Sequence, residues 1–347
     1  MINNKKTIGR ILGPLLFMLI LLFFRPEDME PSARYVLAST VWIAAWWVTE
    51  AIPIPMTSLL PLVFFPGMGV SKIAPVAEAY INPIIFLFIG GFMLALALEK
   101  WNLHRRIALT IIASVGANSQ LIVMGFMIAT GFLSMWISNT ATTLMMVPIA
   151  LAIVAQIYQH LPGKESENLL GKALMLAIAY SASIGGLATL VGTPTNLIFT
   201  GYVKEAYAVD ISFDQWFVYG FPLSLMLMVV VWWYLVNRAF PLKTLKMERG
   251  REEIRQQLRD LGKMSFEEKW VLVVFGLVAL GWMTRSWVLK PLIPNIHDSM
   301  IAIVRIILFL IPSRNAEGNL LTGKRRLRIA LGAFFFFIWR RCRSFWL

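Results

Sequence analysis

The chain has 347 residues, 58% hydrophobic and 15% charged, with a mean hydropathy of +0.69. A soluble domain carries about 45–50% apolar and about 25% charged residues, so the two shifts together exclude a soluble globular protein and indicate one that sits in a bilayer. The net charge is +13, but Lys and Arg lie in the short segments between apolar blocks and form no face interleaved with exposed aromatics, which argues against nucleic acid as a partner.

Lys5, Lys6 and Arg10 precede the first apolar block, residues 11–24. Arg25-Pro26-Glu27-Asp28 follows where a cleaved signal would place small residues. The block therefore reads as a retained span of a multi-pass plasma (inner) membrane protein, with its basic end in the cytoplasm. Further apolar blocks occupy 35–65, 83–98, 107–157, 173–203, 216–236, 270–289 and 300–311. A spanning helix needs about 20 residues, and two of these blocks break the rule.

In the block 107–157, an interfacial stretch ends near Asn118-Ser119, and an apolar arm then runs from Leu121 to Trp136. Ser138-Asn139-Thr140-Ala141-Thr142-Thr143 interrupts it, and a second arm continues to Gln156. Each arm is about 16 residues, roughly 24 Å of helix, short for a crossing but suited to a hairpin that dips in and turns back. The block 173–203 is broken by Gly185-Gly186 and then Gly192-Thr193-Pro194-Thr195-Asn196. Proline removes a backbone donor and disfavours helix before it, and irregular backbone survives at membrane depth only inside protein or around a wet cavity. Two polar breaks in two apolar blocks point to one site near the midplane.

The chemistry available at such breaks is that of helix N-termini, which hold a carboxylate without a permanent cation, and of exposed carbonyl oxygens, which suit Na⁺. Asn139 offers two donors and an acceptor, Ser138 and Thr140 add hydroxyls, and Ser134 lies one turn before Ser138. Taken alone, Ser-Asn-Thr also reads as a turn that satisfies its own backbone. Glu50 precedes a Pro-rich break and Glu99 adjoins Lys100, so both read as helix-terminal; His104-Arg105-Arg106 reads as an interfacial anchor. The charged segment 238–269 reads as a solvated connecting helix. The one cysteine, Cys342, allows no internal disulfide, and His104, His160 and His297 all lie near block ends, so metal catalysis lacks ligands.

The stretch from Ser134 to Thr143 resembles the first re-entrant-hairpin motif of the divalent anion:sodium symporter family, and Gly192-Thr193-Pro194-Thr195-Asn196 resembles that family's first unwound-helix loop. Trp47-Val48-Thr49-Glu50-Ala51-Ile52-Pro53 and Phe88-Ile89-Gly90-Gly91-Phe92 extend the likeness, which covers about residues 10–321. It implies an all-α polytopic membrane protein containing the first inverted repeat of a transporter, with a re-entrant hairpin and a broken helix. Na⁺ would be held by Ser134, Ser138, Asn139 and the backbone at Gly192. The substrate, a small di- or tricarboxylate or sulfate, would meet Asn139, Thr140, Thr193 and Pro194. Transport by an elevator-like motion against a fixed scaffold, and a homodimer, are implied by the same likeness. The chain divides on this reading into scaffold-type helices at 1–106, a transport-domain half at 107–205, further spans with the connecting helix at 206–322, and an atypical tail at 323–347.

That tail departs from the family. No second Ser-Asn-Thr follows Asn196, so the second repeat is expected to be largely missing. After Thr322 the chain becomes Gly323-Lys324-Arg325-Arg326-Leu327-Arg328, then Phe334 to Phe337, then Trp339-Arg340-Arg341. Residues 323–347 hold seven of the 32 basic residues and no acidic one, which resembles a reading-frame shift with an early stop; a basic amphipathic tail at the membrane surface is the alternative. The leading reading is Na⁺-coupled transport of divalent organic anions. A non-transporting fragment of such a transporter is the second, and an intramembrane enzyme the third.

Overall fold

Residues 2–80, 83–116, 118–158, 164–242 and 248–308 are described by the computed structural model, and every regular element among them is helical. The tail at 323–347, with Cys342, and His160 lie outside the described residues. Two units are distinguished, the first over residues 1–86 and the second over 87–322.

The first unit contains α1 (Ile2–Phe23), α2 (Pro31–Thr49), the short α3 (Ile54–Thr57), α4 (Leu60–Gly67) and α5 (Ile73–Ala79). The window Lys5–Phe23 is long and apolar enough to cross a bilayer, and only 17% of it is buried within the protein. Glu50 ends α2 in the left-handed region (φ 47°), where its N–H closes on the Trp46 and Trp47 carbonyls, so the helix-terminal reading of this acid holds.

The second unit begins within α6 (Pro83–Lys100), which is followed by α7 (Leu103–Val115), the two bent by 75° about left-handed Asn102. Asparagine tolerates that conformation better than most residues. Then follow α8 (Ser119–Ser134), α9 (Asn139–Tyr158), α10 (Lys164–Leu187), α11 (Pro194–Tyr207) and α12 (Phe213–Tyr234), the last extended by a π-helical turn, Leu235–Ala239. Beyond these lie α13 (Glu248–Asp260) and α14 (Phe266–Met283), a 70° bend at Thr284 into the π-turn Arg285–Leu289 and α15 (Lys290–Leu292), and α16 (Asp298–Leu308). Leu169–Leu187 and Phe213–Ala239 also satisfy the length and hydropathy of a span; each bent pair counted as one span brings the number to five.

Burial separates the roles of these helices. The spanning window of α10 is 56% buried and that of α12 only 11%, so α10 is the central post and α12 leaves Val218, Leu225, Val229 and Val230 exposed, as a lipid-facing helix would. Helix α10 packs against α8, α9 and α12. The approach of α8 is close because glycine faces glycine: a Cβ on Gly185 would run into the backbone of Gly131. Small residues that let backbones meet are the usual adhesive between helices in lipid. The expected connecting helix is α13, which packs on α7 and α9. Its exit is fastened by Arg106, which donates to both Glu268 carboxylate oxygens (3.1 and 3.2 Å) and to the Leu261 and Gly262 carbonyls.

Candidate functional site

The two polar breaks lie next to each other. The first is residues 135–138, between α8 and α9; the second is 188–193, between α10 and α11. The expectation that the whole run 138–143 interrupts the two arms needs correction, because Asn139 already opens α9. Ser138 serves as the cap: its Oγ accepts from the Ala141 N–H at 3.3 Å and its carbonyl from Thr142. Serine there satisfies donors that the first helical turn leaves orphaned, so the polar run after it can be helical. In the second break Thr193 is extended (φ −140°, ψ 142°), as the residue before a proline prefers, and Pro194 takes the first position of α11, where its missing N–H costs nothing.

A set of side chains closes the carbonyls at the end of α10. Ser134 reaches Ala182 (2.6 Å), Ser224 reaches Ile184 (2.8 Å), Trp216 reaches Leu187 (2.9 Å), and the Asn196 amide donates to Gly186 (2.9 Å) and Thr189 (2.8 Å). Thr189 ties the breaks together, its hydroxyl donating to the Met135 carbonyl and accepting from the Gly192 N–H. Space is equally tight. A Cβ on Gly192 would stand 2.7 Å from the Gly186 oxygen and 3.0 Å from the Ser134 oxygen, and one on Gly186 would strike the Asn139 amide.

Within this frame the buried Ser134 hydroxyl stands 2.7 Å from Asn139 Oδ1 and 2.6 Å from the Ala182 oxygen. A hydroxyl has one proton, so three oxygens share it. That is an electron-rich cluster with no acid in it; among the described residues no group of three or more His, Cys, Asp or Glu could hold a metal ion. Neutral oxygen donors on helix breaks suit a hard monovalent cation such as Na⁺. Turning the Asn139 amide over would let its NH₂ donate to Ser134, which then donates to Ala182, and the surplus would vanish. One side-chain flip therefore separates a cation-seeking arrangement from a self-satisfied one.

A cavity of about 20 Å³ lies between the breaks and α6, lined by Ser138, Gly192, Pro194, Trp136, Phe88 and Gly91 among others. That volume admits a water-sized particle, whereas organic ligands occupy pockets of about 300–1,000 Å³. Of the residues singled out from sequence, Ser134 and Asn139 are bonded directly, and Ser138, Gly192 and Pro194 border this cavity. Thr140 is exposed, and Thr193 pairs with the Thr195 hydroxyl at 3.3 Å; neither lines the cavity. Sequence reasoning missed Thr189, a lone threonine in an apolar run with no local signal, and the bracing role of Asn196.

Residues 4–330 match the family described as the sodium:sulfate symporter transmembrane region. The chain belongs to this family. The family is one of membrane transporters, not of enzymes, and membership agrees with the apolar helices of a multi-pass membrane protein. Similar proteins include the sodium-dependent dicarboxylate transporter SdcS of Staphylococcus aureus (strain USA300), 46% identical over 318 residues, 90% of this chain and 61% of the relative. The protein of the same name from Staphylococcus saprophyticus is 46% identical over 321 residues, 91% of this chain and 62% of the relative. The chain thus spans about three-fifths of the length of these relatives.

Proposed function

We propose that this chain carries the Na⁺ site and one anion-facing wall of a Na⁺-coupled dicarboxylate transporter. The observation that carries the reading is the oxygen cluster of Ser134, Asn139 and Ala182 at the junction of two broken helices. Na⁺ is the coupling ion, held by Ser134, Ser138, Asn139 and backbone oxygens beside Gly192. The anion is a C4-dicarboxylate, as in the names of the relatives, with citrate and sulfate as the other candidates. It would be met by the Asn139 NH₂ and by the α9 and α11 N-termini at Thr140, Thr193 and Pro194, where the positive ends of the helix dipoles favour negative charge.

The Ser134–Asn139 contact supports coupling. Asn139 Oδ1 already faces Ser134, so Na⁺ held there leaves the Asn139 NH₂ for a carboxylate. In this reading α8 and α9 form a re-entrant hairpin with both arms on one side of the membrane, and the hairpin moves with α10 and α11 as a body. The test is binding of radiolabelled succinate to the purified full chain, with NaCl replaced by choline chloride. The reading expects binding only with Na⁺, and competition by whichever of citrate or sulfate shares the site. Equal binding in choline would overturn it.

A further inference from the structure

We propose that the N-terminal unit holds the phosphodiester of a membrane glycerophospholipid between Lys6 and Arg10. Helices α1 and α2 approach closely where Gly9 faces Thr49 and Gly13 faces Trp42 and Trp46. Past Thr49 the chain turns away at left-handed Glu50 and runs through Pro53 and Pro55, both of which restrict the backbone. The divergence leaves a cavity of about 370 Å³, lined by Lys6, Arg10, Glu50 and the segment 51–55.

The cations in it are placed and unspent. Lys6 and Arg10 are one helical turn apart, so they share a face of α1, where two like charges repel unless an anion lies between them. The Arg10 Nε donates to the Ala51 carbonyl at 3.0 Å, which fixes the guanidinium plane. Its two terminal nitrogens, and the Lys6 ammonium, have no protein partner among the described residues. Glu50 lines the same cavity but forms no ion pair with either cation among those residues. The lining therefore carries a net charge of +1, which a phosphodiester neutralises.

The surroundings select a lipid over a free anion. The cavity lies at the polar end of the spanning window Lys5–Phe23, at headgroup depth, where basic pockets between transmembrane helices take lipid headgroups. Across α1 from the cations, Ile8, Ile11 and Leu15 form one helical stripe and are 58%, 65% and 51% exposed, an apolar flank that seats the helix among acyl chains.

Native mass spectrometry of the full chain in detergent tests this, with phosphatidylglycerol, diacylglycerol of the same tails, and inorganic phosphate as probes. We expect one phosphatidylglycerol retained per chain, no retention of diacylglycerol, and no displacement by inorganic phosphate. Lys6→Gln removes no protein contact, so it should leave the melting temperature unchanged while weakening lipid retention about tenfold; Arg10→Gln should do the same to retention. Retention by both variants as in the parent, or equal retention of diacylglycerol, would overturn the site. Displacement by inorganic phosphate would assign it to a free anion and overturn the lipid.

Discussion

The hydroxyl of Ser134 and the side-chain oxygen of Asn139 stand 2.7 Å apart across the break between α8 and α9. Ser134→Ala removes the only proton these oxygens share with Ala182, and with it one cation donor. The expected outcome is Na⁺ affinity weaker by about ten- to a hundred-fold, the consequence of about 1–3 kcal/mol, with anion affinity little changed once Na⁺ is saturating. Titration of succinate binding against Na⁺ separates the two terms. Equal weakening of both would make Ser134 a structural brace.

Gly185→Ala places a methyl against the backbone of Gly131, which cannot rotate away as a side chain tip would. Forcing α8 and α10 apart should cost about 1–3 kcal/mol, seen as a lower melting temperature and a lower yield of monodisperse protein. Gly276→Ala is the control: a Cβ there meets nothing within 4 Å, and alanine in a helix interior should gain about 0.5–1 kcal/mol.

The breaks around Ser138 and Gly192 were legible in the sequence because polar and Gly/Pro residues interrupt apolar blocks, and lipid tolerates no such interruption without a reason. The exact turn was not legible. Whether Asn139–Thr143 continue the turn or start a helix depends on Ser138 capping the Ala141 N–H, a choice that a run of small polar residues leaves open. The 75° bend at Asn102 was invisible because a single left-handed asparagine between two apolar runs looks like a loop end. Contacts between distant positions were hidden as well: Thr189 to Met135 and Arg106 to Glu268 pair residues 54 and 162 positions apart.

Arg106 was read as an interfacial anchor, and the structure makes it a clamp on the entry to α14. Its side chain is 15% exposed and that of Glu268 8%, so the pair is largely removed from water. Arg106→Ala should cost about 3 kcal/mol because it strands the buried carboxylate. Arg106→Lys should not restore stability, since an ammonium cannot serve two carboxylate oxygens and two carbonyls in one plane. Thermal melts of both variants check this; full rescue by lysine would reduce the clamp to a point charge.

Outside the spans, Asp210 is bonded to Lys204 at 2.8 Å. Burial pushes its carboxyl up, but the Lys204 ammonium outweighs this and holds it below the usual value of 3.8. A depressed acid contributes stability above its unfolded pKa and loses it as pH falls through the lower folded one. Both side chains are 49% exposed, so the contribution is small, under about 0.5 kcal/mol. Lys204→Gln should therefore lower the melting temperature slightly at neutral pH, and the difference from the parent should close as pH falls below 3.8. A difference that grows in acid would contradict the assignment.

The most direct measurement is the melting temperature of the purified full chain in NaCl against choline chloride, compared with Asn139→Ala. A ligand that binds only the folded state stabilises it in proportion to the logarithm of its saturation, so a Na⁺ site must show as an upward shift. A Na⁺-dependent rise is expected in the parent and should be absent in Asn139→Ala at the same ion concentrations. An equal rise in both proteins, or no rise in the parent, would contradict the placement of Na⁺ between Ser134 and Asn139.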